Sequence, residues 1–452
     1  MSVAVSRPIE VDHSSAGDIA AWIDAHPLSS FQKWIMVLIG CVVVMDGFDV
    51  QAIGFVAPAL TVDWKIEASA LGSVFGAGLF GMLVGSMLLT MLADRVGRRP
   101  VLIGATGLFS ICMLATAEAH SLSQLAFLRF ATGFGIGGVM GNAVALASEY
   151  SPQRQRASLL MWVSCGFTGG AIAGGLISAV MIPWGGWQSV FVVGGIIPLF
   201  IALVMCWRLP ESLQFLALQR RDPDKLVQLL RKIAPDVDLD LRQHLAQADQ
   251  VRTRGSPAML FHDGRSLMTI LLWVVSFANL LNLFFLANWL PLLSNRMGFG
   301  SSTAVLMGTT LQLGGLVGAL FMGPLIDRLG FYRVLIPLFF IAGFAVAAIG
   351  QSALPIYMLY LIIFVAGICV VGAQPALNAL ASTLYPTEIR ATGVGWSLGV
   401  GRAGAIVGPV VAAQLIALNW SSQALFLAAA VPASLSCLGI IVLARVMRLR
   451  AL

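Results

Sequence analysis

The sequence predicts an all-α membrane protein with 12 transmembrane helices in two pseudo-symmetric six-helix bundles. Three observations predict it. Of 452 residues, 58% are hydrophobic and only 11% are charged, against roughly 25% charged in soluble domains. Apolar runs long enough to span a bilayer, which takes ~20 residues, occur as six, then a long polar stretch, then six more. The second set of six repeats the first. The same composition excludes a soluble globular domain, a disordered chain and a disulfide scaffold.

The elements follow in order. Residues 1–33 are polar and mixed in charge and form a cytoplasmic N-terminal segment with no signal-peptide pattern. Within it, Asp18 is placed to cap a short surface helix carrying Ile19, Trp22 and Ile23. Apolar runs at 34–60, 68–92, 100–118, 121–148, 157–182 and 187–208 make the first bundle, 34–208. A polar stretch, 209–266, is read as a cytoplasmic central loop. Runs at 267–293, 302–326, 332–351, 355–381, 389–417 and 422–447 make the second bundle, 267–447, and 448–452 is a cytoplasmic tail. With the N-terminus placed inside, 23 of the 27 Lys and Arg fall on the cytoplasmic side. Only Lys65 and Arg296 fall opposite, and Arg129 and Arg402 lie within helices. That asymmetry predicts both termini in the cytoplasm.

The repeat is specific. Residues 147–175 shifted by 234 fall on 381–409 with ten identities in 29 positions, among them Pro152/Pro386, Arg156/Arg390, Trp162/Trp396, Gly170/Gly404 and Gly174/Gly408. A shift of 233 lays Asp94-Arg95-x-Gly97 on Asp327-Arg328-x-Gly330, and Asp46 and Asp49 on Asn279 and Asn282. Six helices separate the copies, so both have the same orientation. Parallel six-helix repeats are an arrangement of secondary transporters, whose site lies between the halves near the midplane.

Few side chains carry chemistry inside the spans. The six cysteines all lie in apolar runs without a CxxC pair, and the five histidines all lie outside them. No metal site, disulfide, cofactor or catalytic residue is expected, and no enzyme. Asp46 and Asp49 are the only carboxylates deep inside a span. Three residues apart, they share a helix face, and a charge at that depth costs at least ~2.5–3.5 kcal/mol on insertion scales. They are the candidates for proton coupling, a structural polar pair being the bland alternative. Arg129 and Arg402 are the two intramembrane cations. At ~1.5 Å per residue, Asp46 and Arg402 lie roughly 18–20 Å from the cytoplasmic starts of their helices. Arg129, running the other way, lies about 18 Å from the same face of a ~30 Å core. Either arginine can hold a substrate carboxylate bidentately or neutralise an aspartate. Asn279, Asn282, Asn142 and Trp396 are candidates to contact a ring or its hydroxyl, with Trp162, Trp289 and Phe167 as further aromatic candidates. Helix packing is the competing role for each.

Asp94-Arg95-Val96-Gly97-Arg98-Arg99 after the second helix, its partial copy Asp327-Arg328-Leu329-Gly330, and Arg129-x-x-x-Gly133-x-Gly135-x-Gly137 in the fourth helix resemble motifs of the major facilitator superfamily. The chain is similar to that family along essentially its whole length, although Thr90 replaces the usual leading glycine of the first loop motif. Asp46-Gly47-Phe48-Asp49, Asn288-Trp289-Leu290-Pro291, Tyr385-Pro386-Thr387-Glu388-Ile389-Arg390-Ala391-Thr392-Gly393 and Gly401-Arg402-x-Gly404-Ala405 narrow the resemblance to the aromatic acid:proton symporters, in the branch that takes 4-hydroxybenzoate and protocatechuate. The resemblance implies a major facilitator fold in a bacterial cell inner membrane, importing small aromatic acids with protons by alternating access. It also implies gating by Asp94, Arg95, Gly97, Arg98 and Arg99, and by Asp327 and Arg328. Physically, Asp94 can face the positive N-terminal end of the eleventh helix and Asp327 that of the fifth.

Expected partners are a small aromatic acid, protons and the lipid bilayer, and no nucleic acid. Two other functions stay open at this point. One is a drug or metabolite:proton antiporter, although Ala171 stands where the fifth-helix motif of antiporters has proline. The other is a non-transporting receptor for aromatic acids.

Overall fold

The structure is a computed structural model and describes residues 23–24, 26–219, 223–233, 257–262, 264–351 and 354–450. The expected surface helix residues Asp18, Ile19 and Trp22 lie outside them. The first half contains α1 (Ser30–Asp63), α2 (Leu71–Val96), α3 (Arg98–Ala117), α4 (Leu122–Glu149), α5 (Gln153–Gly185) and α6 (Gln188–Arg208). Two short helices follow, α7 (Leu213–Gln219) and α8 (Pro223–Ile233). The second half contains α9 (Ser266–Arg296), α10 (Ser301–Leu329), α11 (Phe331–Ile349), α12 (Ile356–Val370), α13 (Ala373–Leu384), α14 (Thr387–Ala417) and α15 (Ser422–Arg450). Counting α12 and α13 as one, 12 segments among the described residues are long and apolar enough to cross a membrane.

Local chemistry sets the ends of these helices. Ser29 and Gln32 form a reciprocal capping box at the start of α1, with Ser29 Oγ accepting from the Gln32 N–H at 3.3 Å and Gln32 Oε1 accepting from the Ser29 N–H at 2.8 Å. Gly97 and Gly330 separate α2 from α3 and α10 from α11 with φ of +106° and +83°, a region that side chains other than glycine rarely enter. The tenth span is not the single run that the sequence suggests. It breaks at Val371–Gly372, because Pro375 has no N–H and its ring clashes with the carbonyl four residues back, that of Val371. The polar stretch also holds more structure than a loop. Leu226, Leu229, Leu230 and Ile233 line one face of α8 at helical spacing and are buried, while Lys232 Nζ stands 5.6 Å from the centre of the Phe31 ring at the foot of α1.

Glycine-to-backbone contacts build each half, and they recur at the repeat spacing. On α2 and α4, a Cβ at Gly81 would strike the Phe130 carbonyl and one at Gly85 the Phe134 carbonyl. The matched contacts on α10 and α12 are Gly314 with Phe364 and Gly318 with Ile368. On α1 and α5, Gly170 sits on the Val44 carbonyl, and on α9 and α14 Gly404 sits on that of Phe277. Without water to drive association, such close approach supplies the packing energy in a bilayer.

The halves meet along three seams. Helices α1 and α9 touch where Gly54 meets Ala287 and Asn288. The seam of α2 with α14 (Gly72 on Ala413, Gly76 on Val410) has as its two-fold counterpart the seam of α5 with α10 (Gly175 on Thr309). Phe75 of α2 also packs edge-on against Trp289 of α9 at 5.1 Å. All of these contacts lie in the half of the molecule away from the ends of α1 and α15 that carry the chain termini. At the terminal face, Asp94 and Asp327 are exposed.

Candidate functional site

The four ionisable side chains singled out in the sequence fall into two groups. Asp49 is fully buried in α1 and Arg129 is 4% exposed in α4. Their pairing is bidentate, Nη1 to Oδ1 at 2.8 Å and Nη2 to Oδ2 at 2.9 Å, with Nη2 also 3.3 Å from the Asp49 carbonyl. Met113 Sδ lies 3.5 Å from Nη1 and the Phe191 ring lies 5.9 Å from the guanidinium carbon. Every one of these partners belongs to the first half. The cavity beside the pair measures about 20 Å³, room for a single water.

Asp46 and Arg402 differ. Asp46 is 2% exposed and its Oδ1 has no hydrogen-bond partner among the described residues. No salt bridge reaches Asp46 among the described residues, and Arg402 of α14, in the opposite half, exerts only a longer-range field on it. Arg402 Nη1 donates to the Ser86 hydroxyl of α2, again across the halves. Arg402 opens on a cavity of about 180 Å³ between the halves, walled by Leu79, Met82, Leu280, Phe284 and Leu398 and edged by Gln374 and Asn378 of α13. A cavity of ~150 Å³ suffices for a benzene ring. An apolar wall with a few fixed polar groups is the usual form of a small-molecule site.

The remaining candidates separate by helix face. Asn279 Nδ2 donates to Gln374 Oε1 at 2.8 Å, and Gln374 Nε2 to Asn378 Oδ1 at 3.1 Å, a ladder of amides leading from α9 to the cavity. Asn282 is buried with both side-chain polar atoms unpartnered among the described residues. Asn142 bonds its own helix at the Gly138 carbonyl, 2.7 Å, because nine residues of helix put it opposite Gly133. Trp396 stacks on Trp273 at 5.6 Å and is 45% exposed. It is two residues, about 200° of helix, from the cavity residue Leu398, so it does not line the cavity. Trp162 is exposed, and Trp289 is buried with Nε1 donating to the Pro409 carbonyl at 3.1 Å.

At the terminal face the loop motif is anchored within the first half. The Glu211 carboxylate accepts from the Arg98 and Arg99 N–H groups at 2.9 and 3.1 Å, at the positive start of α3. A side chain at Gly97 would collide with it. Arg98 pairs with the buried Glu149, which also accepts from the Ser212 hydroxyl at 2.6 Å. Burial, with Glu149 and Glu211 alongside, pushes the Tyr150 hydroxyl well above its ordinary value. It therefore stays protonated and donates to the Glu211 carbonyl at 2.7 Å. Glu149, Glu211, Gln374, Asn378 and Ser86 do not stand out in the sequence, because they are neutral or lie at the ends of spans. The signals were Glu149 ending the fourth helix and Pro210-Glu211-Ser212 closing the sixth.

The profile of the Major Facilitator Superfamily matches residues 39–311 and 272–450. The chain belongs to that superfamily. Within it, the chain is 40% identical to the 4-hydroxybenzoate transporter PcaK of Pseudomonas aeruginosa over 93% of its own length and 94% of the relative's. It is 36% identical to a gallate transporter of Pseudomonas putida, over 94% of each chain. This superfamily member therefore sits in the branch of aromatic acid transporters. The xylose transporter XylE from E. coli, in a partially occluded inward-open conformation, shares the fold with a TM-score of 0.71 at 17% identity, over 91% of this chain and 97% of that one. Superfamily membership also places the protein outside the enzymes.

Proposed function

We propose that the protein is a proton-coupled importer of small aromatic carboxylates such as 4-hydroxybenzoate or protocatechuate, working by alternating access in a bacterial inner membrane with both termini in the cytoplasm. The observation that carries this reading is Arg402, a cation of one half that donates to Ser86 of the other and opens on a ring-sized apolar cavity between them. One guanidinium then serves two carboxylates in turn. The substrate carboxylate takes its bidentate face. Asp46 loses its counter-charge and takes a proton, since burial penalises an uncompensated charge. Gln374, Asn378 and the amides of α9 meet the ring hydroxyls.

The energetics favour symport. An anion entering against an inside-negative potential costs about 2.3 kcal/mol per 100 mV, and a proton travelling with it removes that cost. The described geometry corresponds to the inward-facing state, with the halves joined on the outer side. In the opposite state Asp94 and Asp327 latch the cytoplasmic ends of α14 and α5. Arg95, Gly97, Arg98, Arg99 and Arg328 hold the two motifs in place.

The test is uptake of radiolabelled 4-hydroxybenzoate into proteoliposomes under an inward-directed proton gradient, with direction separating import from antiport. Accumulation is expected in the wild type. Asp46→Asn should retain counterflow but lose gradient-driven accumulation. Arg402→Lys, which keeps the charge and loses the fork, should weaken binding about tenfold or more, one charge-assisted hydrogen bond being worth ~1.5–3 kcal/mol. Ligand binding with no flux would instead make the protein a receptor.

A further inference from the structure

We propose that transport moves one proton per substrate anion, exchanged at Asp46 alone, because Asp49 is permanently committed to Arg129. The proposal rests on the transport reading above and extends it to stoichiometry.

The sequence presents two equivalent carboxylates, three residues apart on one helix. The structure makes them unequal. Both oxygens of Asp49 are held by one guanidinium, and the partners of that guanidinium come from α1, α3, α4 and α6. All four helices belong to the same half. Alternating access turns one half against the other, so it displaces none of these atoms relative to the rest. The pair is buried, and the small cavity beside it is lined by first-half residues together with Asn288 of α9, which brings an amide and no anion towards Arg129.

Asp46 has the opposite properties. Among the described residues one of its oxygens is unpartnered and no salt bridge holds it, and Arg402, in the other half, bonds Ser86 instead. Among the described residues, the charges acting on it are Asp49 on its own helix, itself neutralised by Arg129, and Arg402 on α14. From α5 the neighbouring turn of α1 receives backbone at Phe167 and Gly170. Motion between the halves therefore leaves the hydrogen bonds of Asp49 as they were, whereas Asp46 Oδ1 has none to hold it.

The repeat carries the same message. Asp49 matches Asn282 and Arg129 matches the buried Ile363. The second half thus lacks both members of the pair at once, as expected if the two charges form a single structural unit. Balance is simple. An O–H bond forms on the Asp46 carboxylate from the outer solution and breaks towards the inner one. The substrate crosses as a monoanion and no net charge moves.

The experiment uses the purified full-length protein in proteoliposomes with 4-hydroxybenzoate as the probe. Valinomycin and potassium set the membrane potential independently of the pH gradient. With one proton, a tenfold proton gradient sustains about a tenfold substrate gradient at equilibrium, and a potential imposed without a pH gradient drives no accumulation. Accumulation of about a hundredfold, or accumulation driven by potential alone, overturns the proposal. Absence of 4-hydroxybenzoate flux under every gradient would instead remove the transport reading, and the stoichiometry with it. A second measurement replaces the whole pair. Asp49→Asn combined with Arg129→Gln is expected to keep the ratio of one at whatever rate it retains, and a ratio falling to zero in that variant places proton exchange on Asp49.

Discussion

Arg129 and Arg402 carry the same charge at similar depth, yet their surroundings assign them different work. Arg129 is enclosed by Asp49, Met113 and Phe191, whereas Arg402 looks into open space between the halves. The sequence made both legible as intramembrane cations but left their partners open, because pairing depends on how α1, α4 and α14 are rotated. The amides divide in the same way. Asn279 was visible as the counterpart of Asp46, but its partner Gln374 was not, being neutral and lying just past a break in the helix. The orphaned amide of Asn282 and the ladder through Gln374 lead to a selectivity prediction. Asn282→Leu and Gln374→Leu should each reduce the preference for hydroxylated over plain benzoates by about 3- to 10-fold, since a hydrogen bond is worth ~0.5–1.5 kcal/mol net, while proton coupling persists. Competition of a benzoate panel against 4-hydroxybenzoate uptake measures the ranking. An unchanged ranking in both variants removes these amides from the substrate site.

At the scale of elements, the spans were readable because twenty-odd apolar residues in a row allow little but a helix in lipid. What remained hidden was how closely they approach one another. The spacing of Gly133, Gly135 and Gly137 reads as a motif. Its physical content is that α2 and α4 lie backbone against backbone at Gly81, Gly85, Gly133 and Gly137. Gly85→Val should therefore destabilise the protein by ~1–3 kcal/mol, the usual cost of overpacking, and lower the detergent melting temperature. Gly104, which has nothing within 4 Å of an added Cβ, supplies the control, and Gly104→Val should melt close to the wild type. Equal melting of the two variants would mean that the α2–α4 contact does not limit stability. The break in the tenth span was also inferable from Gly372 and Pro375. Continuous hydropathy masked it, as average polarity masked the apolar face of α8.

For the whole molecule, the order of six, six and the repeat was legible from the chain, whereas the conformational state was not. A sequence specifies both ends of an alternating-access cycle and a structure presents one. Here the seams close on one side and Asp94 stands exposed on the other. If Asp94 latches α2 to α14 in the outward-open state, Asp94→Asn should raise the inward-open population. A cysteine placed at Leu398 in the cavity, with exposed Cys41 and Cys206 removed, would then be labelled severalfold faster from the cytoplasmic side. Equal labelling rates would confine Asp94 to a folding role.

The glycine seats that recur at the repeat spacing have a consequence for descent. Gly81, Gly85 and Gly170 and their partners Gly314, Gly318 and Gly404 keep the same backbone contacts in both copies, while Asp46, Asp49 and Arg129 are matched by Asn279, Asn282 and Ile363. The packing of the two copies matches and their charges do not. Two unmodified units closed about the same two-fold would have brought two acidic α1 helices together along the central seam, where like charges repel in a medium that screens them poorly. The result is a pseudo-dimer whose carboxylate pair lies in one half and whose cavity cation, Arg402, lies in the other, and such a molecule cannot be replaced by a dimer of either half.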